Sequence, residues 1–209
     1  SKSYAEKIYF DYQQNYINDK TTLCELESIM KKRDVLVLAP GSSLTQYSDA
    51  INEYIRKKNP VIISVNFISE LFRCDFVFSS NMRRYGKLAH RKDVKRIITS
   101  NIKETDECDY KINFSSFSSE YPDIVDNSGV MLLKLLIAIG VKKIAVAGMD
   151  GYDNYIASNY FDIDLDYDFS NESEKRNYLI STEIQNINKK VNLRFITPTK
   201  YTVENNQVS

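Results

Sequence analysis

The chain contains only one histidine and three cysteines, and it has no tryptophan. The lone His90 excludes a metal site built from several histidines, and its basic surroundings predict a position on the surface. Cys24, Cys74 and Cys108 are odd in number, widely spaced and without a CxxC pair. They are therefore predicted to be reduced thiols of a cytoplasmic protein, and not a disulfide framework or a zinc site.

The sequence also lacks a net charge and a long apolar run. Its 28 basic and 28 acidic residues cancel, so no overall field attracts nucleic acid or an anionic membrane. No apolar run approaches the roughly 18 residues that a membrane-spanning helix needs. The composition thus predicts no nucleic-acid partner and no membrane span. At 209 residues the chain is long enough for a substantial core.

Short apolar segments alternate with amphipathic ones along the chain. This alternation predicts an α/β fold with a doubly wound, mostly parallel sheet, helices on both faces and additional N-terminal helices. Strands are predicted over residues 34–39, 60–65, 75–79, 96–100, 110–114, 142–148 and 193–198. Helices are predicted over residues 3–17, 21–31, 43–58, 129–140 and 171–190.

Two of these helices carry further expectations. The helix over 43–58 has Leu44, Tyr47, Ile51, Tyr54 and Ile55 at helical spacing, and Asp19 or Thr21 is expected to cap the helix over 21–31. The helix over 129–140 is apolar on nearly all sides, which predicts burial on more than one side. Its expected core residues are Leu132, Leu135, Leu136 and Ile139, and Gly140 is the expected stop.

Small and amide-bearing residues follow almost every predicted strand. In an open α/β sheet, ligands bind beyond the carboxyl ends of the strands, near the point where the strand order reverses. Side chains that both donate and accept hydrogen bonds suit the base edges, hydroxyls and phosphates of a nucleotide. The alternative is that these residue types serve only the turns themselves. The stretches concerned are 40–43, 66–67, 79–81, 100–101, 126–129 and 148–155.

The turn after the first strand reads APGSSL, residues 39–44. Gly41 is expected to let the backbone turn tightly, and Ser42, Ser43 and the following N–H groups are expected to face an anion at the start of a helix. Neither GxGxxG nor GxxxxGK[ST] is present, so the dinucleotide and P-loop templates do not apply. The simpler alternative is that Ser42 only caps the helix.

Several segments occur in the order found in one group of bacterial proteins, namely LAPGSSL, SVNF, VFSSN, TSN, DNSGVMLLKLLIAIGVKKIAVAGMDGY and LRFITP. The chain resembles the Rossmann-like group that includes the CMP-sialic-acid-dependent sialyltransferases of surface-glycan loci and the MptE-like diphosphokinases. It looks most similar to a domain that follows an aldolase-like domain, of the 4-hydroxy-2-oxovalerate aldolase type, in bacterial polysaccharide loci. The likeness spans residues 34–200 and is most specific over 126–152.

The resemblance implies a nucleotide-binding domain over residues 33–200, after a helical connector over 1–32 and before a loose tail over 201–209. It implies a nucleotide-sugar donor, of the CMP type or another base, used by a glycosyltransferase-like protein of polysaccharide biosynthesis. A covalently attached aldolase-like domain would be its partner. The implied nucleotide and sugar contacts are Gly41, Ser42, Ser43, Asn66, Asn81, Ser100, Asn101, Ser128 and Gly129, and the implied catalytic residues beside the donor are Asp150 and Tyr152.

The chain departs from the sialyltransferases at three places. Pro40 stands where they have an asparagine, Val125 and Asp126 stand where they have an arginine, and no histidine follows the GMDGY segment. Sialyl transfer by their machinery is therefore not expected. Two alternatives remain open beside a transferase: a non-catalytic binding module for an attached enzyme, and a magnesium-dependent phosphoryl or diphosphoryl transferase.

The stretch FDIDLDYDF, residues 161–169, places Asp162, Asp164, Asp166 and Asp168 on one side of an extended segment. The EF-hand spacing fails there, and alternation with apolar residues is typical of a half-buried edge segment. A solvated edge is thus the favoured interpretation, and no metal is assigned. Magnesium enters only with the phosphoryl-transfer alternative, which would give these carboxylates a role.

Overall fold

The structure, a computed structural model, describes residues 15–103, 108–153 and 172–201. Within this part of the chain, seven parallel strands form one sheet in the order β5-β4-β3-β2-β1-β6-β7. The strands are β1 (Val35–Leu38), β2 (Val61–Val65), β3 (Phe76–Ser79), β4 (Lys95–Thr99), β5 (Tyr110–Ile112), β6 (Lys143–Ala147) and β7 (Asn192–Phe195). All seven predicted strands are present, and every pairing is parallel.

Helices cover both faces of the sheet. Successive side chains of a strand point to opposite faces, and here both faces are apolar and have to be covered. The helices are α1 (Lys20–Met30), α2 (Ser43–Gln46), α3 (Ser48–Lys58), α4 (Met82–Leu88), α5 (Ser128–Ala138) and α6 (Ser173–Asn188). Val35 and Val37 join a core with α1, α5 and α6, whereas Leu36 and Leu38 pack on the side of α2 and α3. Helix α4 covers β3 and β4 on that second side. The fold is Rossmann-like and doubly wound. No helix of the described residues has the length and apolar character needed to cross a membrane.

Helix α5 is buried in the centre of the larger core, as its sequence predicts. Leu132, Leu135, Leu136 and Ile139 are each no more than 2% exposed. The Asn127 side chain caps the helix by accepting from the Val130 N–H at 3.0 Å. Gly140 ends it with a φ of 82°, a conformation that other residues rarely adopt. This helix is therefore a fixed support for the loops at its N-terminus.

Two local predictions were wrong, and one helix was missed. The helix expected over 43–58 is interrupted at Tyr47, which leaves helical geometry and has a side chain that is 41% exposed. Helix α4 was not predicted, because its basic residues hid the apolar positions that face β3. Asp19 stands at the N-cap of α1 without a capping hydrogen bond, since its carboxylate accepts from the Asn113 N–H instead, at 2.8 Å.

The segment before the sheet is part of the same packed unit. Leu26 and Met30 of α1 are fully buried against the sheet, and Asn113 at the end of β5 binds both backbone groups of Ile17. The proposed division at residue 32 remains a prediction, but α1 is built into the core of the sheet. The helix predicted over 3–17 lies outside the described residues except at its end.

Candidate ligand-binding cleft

The strand order reverses between β1 and β6, which makes this the switch point of the sheet. The chain leaves β1 toward β2 on one side and later returns to β6 on the other. Past the strands the two loops stay joined, because Ala39 N–H donates to Ala147 O and Gly41 N–H donates to Gly148 O, both at 2.8 Å. Any ligand at this switch point must therefore lie beside the joined loops and not between them.

Two glycines allow this close approach. A Cβ on Gly148 would lie 2.0 Å from Ala39 O, and Gly148 also has a φ of 75°. A Cβ on Gly41 would lie 2.3 Å from Gly148 O and 2.5 Å from Asp150 Cγ. Gly41 does not have a positive φ. It is required here for space, and it also begins a turn, because its carbonyl accepts from the Leu44 N–H at 3.2 Å.

The start of α2 is occupied by a carboxylate of the chain itself. Ser43 N–H donates to Asp150 Oδ2 at 3.0 Å, and the Ser43 hydroxyl donates to Asp150 Oδ1. Ser42 makes no capping hydrogen bond. Because Ser43 uses its two donors to hold the loop after β6, neither is available to a bound phosphate. For Ser42, the simpler alternative of a helix cap is not borne out, and the expected phosphate contact stays a prediction.

An open cleft of about 840 Å³ lies next to these joined loops, at the carboxyl edge of the sheet. Six of the predicted site residues line it, namely Asn66, Asn81, Ser128, Gly129, Asp150 and Tyr152. Five do not, namely Gly41, Ser42, Ser43, Ser100 and Asn101. The cleft extends from the ends of β1, β2 and β6 to the first turns of α5 and α6.

Ser100 and Asn101 have structural partners outside the cleft. The Ser100 hydroxyl accepts from the Phe114 N–H at 3.1 Å. Asn101 donates to Ser80 O at 2.8 Å and accepts from the Thr99 hydroxyl. Both side chains join the end of β4 to neighbouring loops, which is why they are not available to a ligand in the cleft.

Asn66 is central to the polar side of the cleft. It has a φ of 65°, and its Oδ1 accepts from the Ser79 hydroxyl at 3.0 Å and the Ser128 hydroxyl at 3.4 Å. Ser128 in turn shares a 2.5 Å hydrogen bond with the Ser80 hydroxyl. No partner of the Asn66 Nδ2 group is found within the described part of the chain. The amide is therefore oriented by the serines and keeps its donor for a ligand.

The first turn of α5 adds backbone donors beside Asn66. The first N–H groups of a helix have no acceptor within the helix, and the helix dipole makes this end partly positive. The Asn127 side chain accepts from the Val130 N–H, so the N–H groups of Ser128 and Gly129 are the ones that remain for a ligand in the cleft. Gly129 has no side chain that could cover these N–H groups. There is also little room for one, because an added Cβ would lie 2.7 Å from Met149 Cε. This geometry suits an anionic group.

The charged side chains of the cleft are largely paired with one another. Lys175 Nζ lies 2.6 Å from Asp123 Oδ2, and an Arg176 nitrogen lies 3.5 Å from Glu172 Oε2. Asp150 is bound by Ser43, as described above. The Asp126 carboxylate has no ion-pair partner among the described residues. Two of the four lining carboxylates are thus neutralised by a cation, Asp150 keeps its charge within the Ser43 contact, and Asp126 remains as an acceptor.

The loop after β6 is fixed from two directions. Tyr152 exchanges two backbone hydrogen bonds with the Asn177 side chain of α6, at 2.8 and 2.7 Å. On the other side, the Thr197 hydroxyl accepts from Gly148 N–H at 2.9 Å, and Lys200 N–H donates to Asp150 O at 2.8 Å. Segment 197–201, which follows β7, therefore runs along the loop after β6 and brings Tyr201 to the cleft.

Tyr201 is a cleft residue that the sequence analysis missed, because it was assigned to the loose tail. Its side chain is only 5% exposed and lines the cleft. The signal that could have identified it is its position, since it follows the last strand at the same carboxyl edge as the other site residues. The rest of the predicted tail, 202–209, lies outside the described residues.

Burial raises the pKa of the Tyr201 phenol well above its ordinary value of 10, and Tyr152 and Asp150 raise it further. The unfolded chain loses this proton near pH 10, while the folded protein keeps it. The stability that this phenol contributes is therefore present below pH 10 and declines above it. In denaturant melts at pH 8 and pH 10.8, the wild type should lose more stability between the two values than Tyr201→Phe does. Equal losses would contradict the buried, neutral phenol.

Metal binding has no visible centre in this part of the protein. Residues 15–103, 108–153 and 172–201 contain no group of three or more His, Cys, Asp or Glu side chains placed to hold an ion. The acidic run over 161–169 lies outside the described residues, so its favoured interpretation as a solvated edge stays a prediction.

Comparison with known proteins adds no family. No protein-family model matches the chain, and no curated protein matches it either. The functional conclusion depends on the cleft itself.

Proposed function

We propose that the protein binds a nucleotide or a nucleotide-sugar in the cleft at the switch point. The observation that carries the proposal is the meeting of the Asn66 amide with the first turn of α5 in one cleft. Its volume of about 840 Å³ is within the range of roughly 300–1,000 Å³ that is usual for small-molecule sites. A nucleotide combines an anionic phosphate with a polar base and hydroxyls, and these donors match that combination.

The proposed ligand lies with its phosphate at the N–H groups of Ser128 and Gly129. The helix dipole stabilises negative charge at this position. The amides of Asn66 and Asn81 then face the nucleoside, and the carboxylate of Asp126 accepts from its hydroxyls. Asn81 uses its oxygen to cap α4 by accepting from the Arg84 N–H at 3.1 Å, so its amino group is the part that a ligand can use.

Glycosyl transfer is the reaction that we propose for the bound nucleotide-sugar, and it follows from the resemblance described above. Asp150 would act as general base toward an acceptor hydroxyl, with Tyr152 beside the donor. The hydrogen bonds from Ser43 orient the carboxylate, and each oxygen retains a further lone pair for a proton.

The same hydrogen bonds favour a second candidate, a binding module without chemistry that serves an attached aldolase-like enzyme. They give the Asp150 carboxylate a structural task of its own, since they tie the loop after β6 to the start of α2. The Ser43 contact therefore supports binding more directly than it supports catalysis. The phosphoryl-transfer alternative has no cluster of metal ligands to support it among the described residues.

A thermal-shift panel tests the proposal. The panel contains CMP, UMP, AMP and GMP, their activated sugars, and each compound with magnesium or with EDTA. A ligand at about 100 times its Kd stabilises by about 2.7 kcal/mol, which raises Tm by roughly 5–10 °C in a domain of this size. EDTA alone should leave Tm unchanged.

The panel also separates the candidate functions. Hydrolysis of a bound nucleotide-sugar supports the transferase, and binding without turnover supports the module. Binding or turnover that depends on magnesium would favour the phosphoryl transferase. The absence of a shift with every compound would contradict the proposed function.

A further inference from the structure

Tyr201 has a buried side chain whose hydroxyl is not used by the protein. The ring is 5% exposed and belongs to the core cluster that contains α5 and α6. Its backbone N–H donates to the Thr199 hydroxyl at 3.1 Å, but its phenol makes no hydrogen bond with any residue that the structure describes. The hydroxyl is not among the side-chain atoms that are closed off from solvent without a partner, so it reaches the open cleft, where a ligand can accept from it.

The position of the ring is fixed before any ligand arrives. Thr197 and Thr199 bind Gly148 N–H and Met149 O at 2.9 and 2.8 Å, and Lys200 N–H binds Asp150 O at 2.8 Å. These bonds tie segment 197–201 to the loop after β6, which itself lines the cleft. The phenol is thus held at the cleft without being held by a hydrogen bond of its own.

We propose that the Tyr201 hydroxyl donates a hydrogen bond to a sugar hydroxyl of the bound ligand, and that Tyr201 is a ligand-binding residue of the cleft. The inference rests on the proposed function, because it assigns a contact within the same site. It adds a residue from the C-terminal segment, which neither the sequence patterns nor the resemblance assign to the site.

The charges around the phenol select the kind of ligand atom. The phenol stays protonated, since burial and the nearby Asp150 and Tyr152 raise its pKa, and so it acts as a donor. Asp150 is close enough to affect that pKa, and its negative charge would repel a phosphate oxygen at the same place. A neutral hydroxyl suits both groups, because it accepts from Tyr201 and donates to the carboxylate. The phosphate therefore binds at the first turn of α5 and not beside Tyr201.

The experiment compares Tyr201→Phe with Tyr178→Phe. Tyr178 lies on α6 and is 72% exposed outside the cleft, so the control removes the same oxygen at a site with no expected ligand contact. Both variants are titrated calorimetrically with the nucleotide monophosphate and the nucleotide-sugar that give the largest thermal shifts in the panel. Tm is measured in parallel.

Tyr201→Phe is expected to weaken the nucleotide-sugar at least ten-fold, which corresponds to about 1.4 kcal/mol, while Tyr178→Phe binds as the wild type does. Tm should stay the same or rise, because no hydrogen bond within the protein is lost. A loss with the free nucleotide as well assigns the contact to the ribose, and a loss with the nucleotide-sugar alone assigns it to the activated sugar.

Equal affinities of Tyr201→Phe and the wild type for both ligands would overturn the inference. A lower Tm of Tyr201→Phe with weakened binding would also overturn it, because that pattern indicates a structural role. If the wild type binds no member of the panel, the proposed function fails first, and this result is distinct from equal affinities.

Discussion

Gly41→Ala is expected to destabilise the protein by about 3 kcal/mol, although position 41 lies in a loop outside the hydrophobic core. The added Cβ would lie 2.3 Å from Gly148 O and 2.6 Å from Asp150 Oδ2. Neither atom can move cheaply, because the first accepts the Gly41 N–H and the second accepts the Ser43 N–H. Relief of the clash must therefore separate the loops after β1 and β6. A valine at this position would be worse, because its larger, branched side chain has even less room between the two loops.

Gly86→Ala is the matched control for this prediction. Gly86 lies inside α4, and a Cβ built on it meets no atom within 4 Å. The same methyl group should stabilise there by roughly 0.5–1 kcal/mol, because alanine favours a helix interior over glycine. Denaturant melts of the two variants measure the contrast. A Gly41→Ala protein that melts like the wild type would show that the two loops are not in contact.

Leu135→Ala is expected to lower the free energy of unfolding by about 2–5 kcal/mol. Leu135 is 1% exposed in the middle of α5, and the neighbouring Leu132 and Leu136 are fully buried. With the helix packed between the sheet and α6, the surrounding side chains cannot collapse far enough to fill the cavity. The loss therefore includes both the transfer of the removed methyl groups and the cost of the cavity.

Leu71→Ala makes the same chemical change at a leucine that is 56% exposed. It should change stability by no more than about 0.5 kcal/mol. Chemical denaturation of both variants at one pH gives the comparison. A loss below about 1 kcal/mol for Leu135→Ala would mean that α5 is not enclosed as the structure has it.

The sheet and α5 could be predicted because their signals are local. Strands such as VIISV at 61–65 are continuous apolar runs bounded by turn residues, which is the pattern of a strand buried on both faces. Helix α5 has the complementary pattern, an apolar sequence longer than a strand and ended by Gly140. Because parallel strands bring their carboxyl ends to one edge, the general position of the cleft also followed from these patterns.

The pairing of particular side chains could not be predicted, because the partners are far apart in the sequence. Ser43 and Asp150 are separated by 107 residues, and their contact changes the meaning of the PGSSL turn. A serine at a helix start has the same local pattern whether a ligand or a carboxylate of the chain fills that position. Tyr201 was missed for a related reason, since its burial depends on contacts with the loop after β6.

Asn66 was predicted as a site residue, but its contacts at the cleft are visible only in three dimensions. Its positive φ turns the chain away from β2, and its side chain then meets Ser128 at the start of α5, 62 residues later. Asparagine tolerates this backbone conformation better than most residues. The chain has a second asparagine of this kind, Asn59, with a φ of 42° at the end of α3. It precedes β2 and therefore lies at the opposite edge of the sheet.

The two asparagines provide the most direct test that the cleft is the nucleotide site. Glycine accepts a positive φ at either position, so Asn66→Gly and Asn59→Gly remove the same side chain without straining the backbone. Calorimetric titration with the panel compound of highest affinity should show at least ten-fold weaker binding for Asn66→Gly, about 1.4 kcal/mol. Asn59→Gly should bind as the wild type does. Wild-type affinity in a folded Asn66→Gly protein, or an equal loss in Asn59→Gly, would contradict the assignment of nucleotide binding to this cleft.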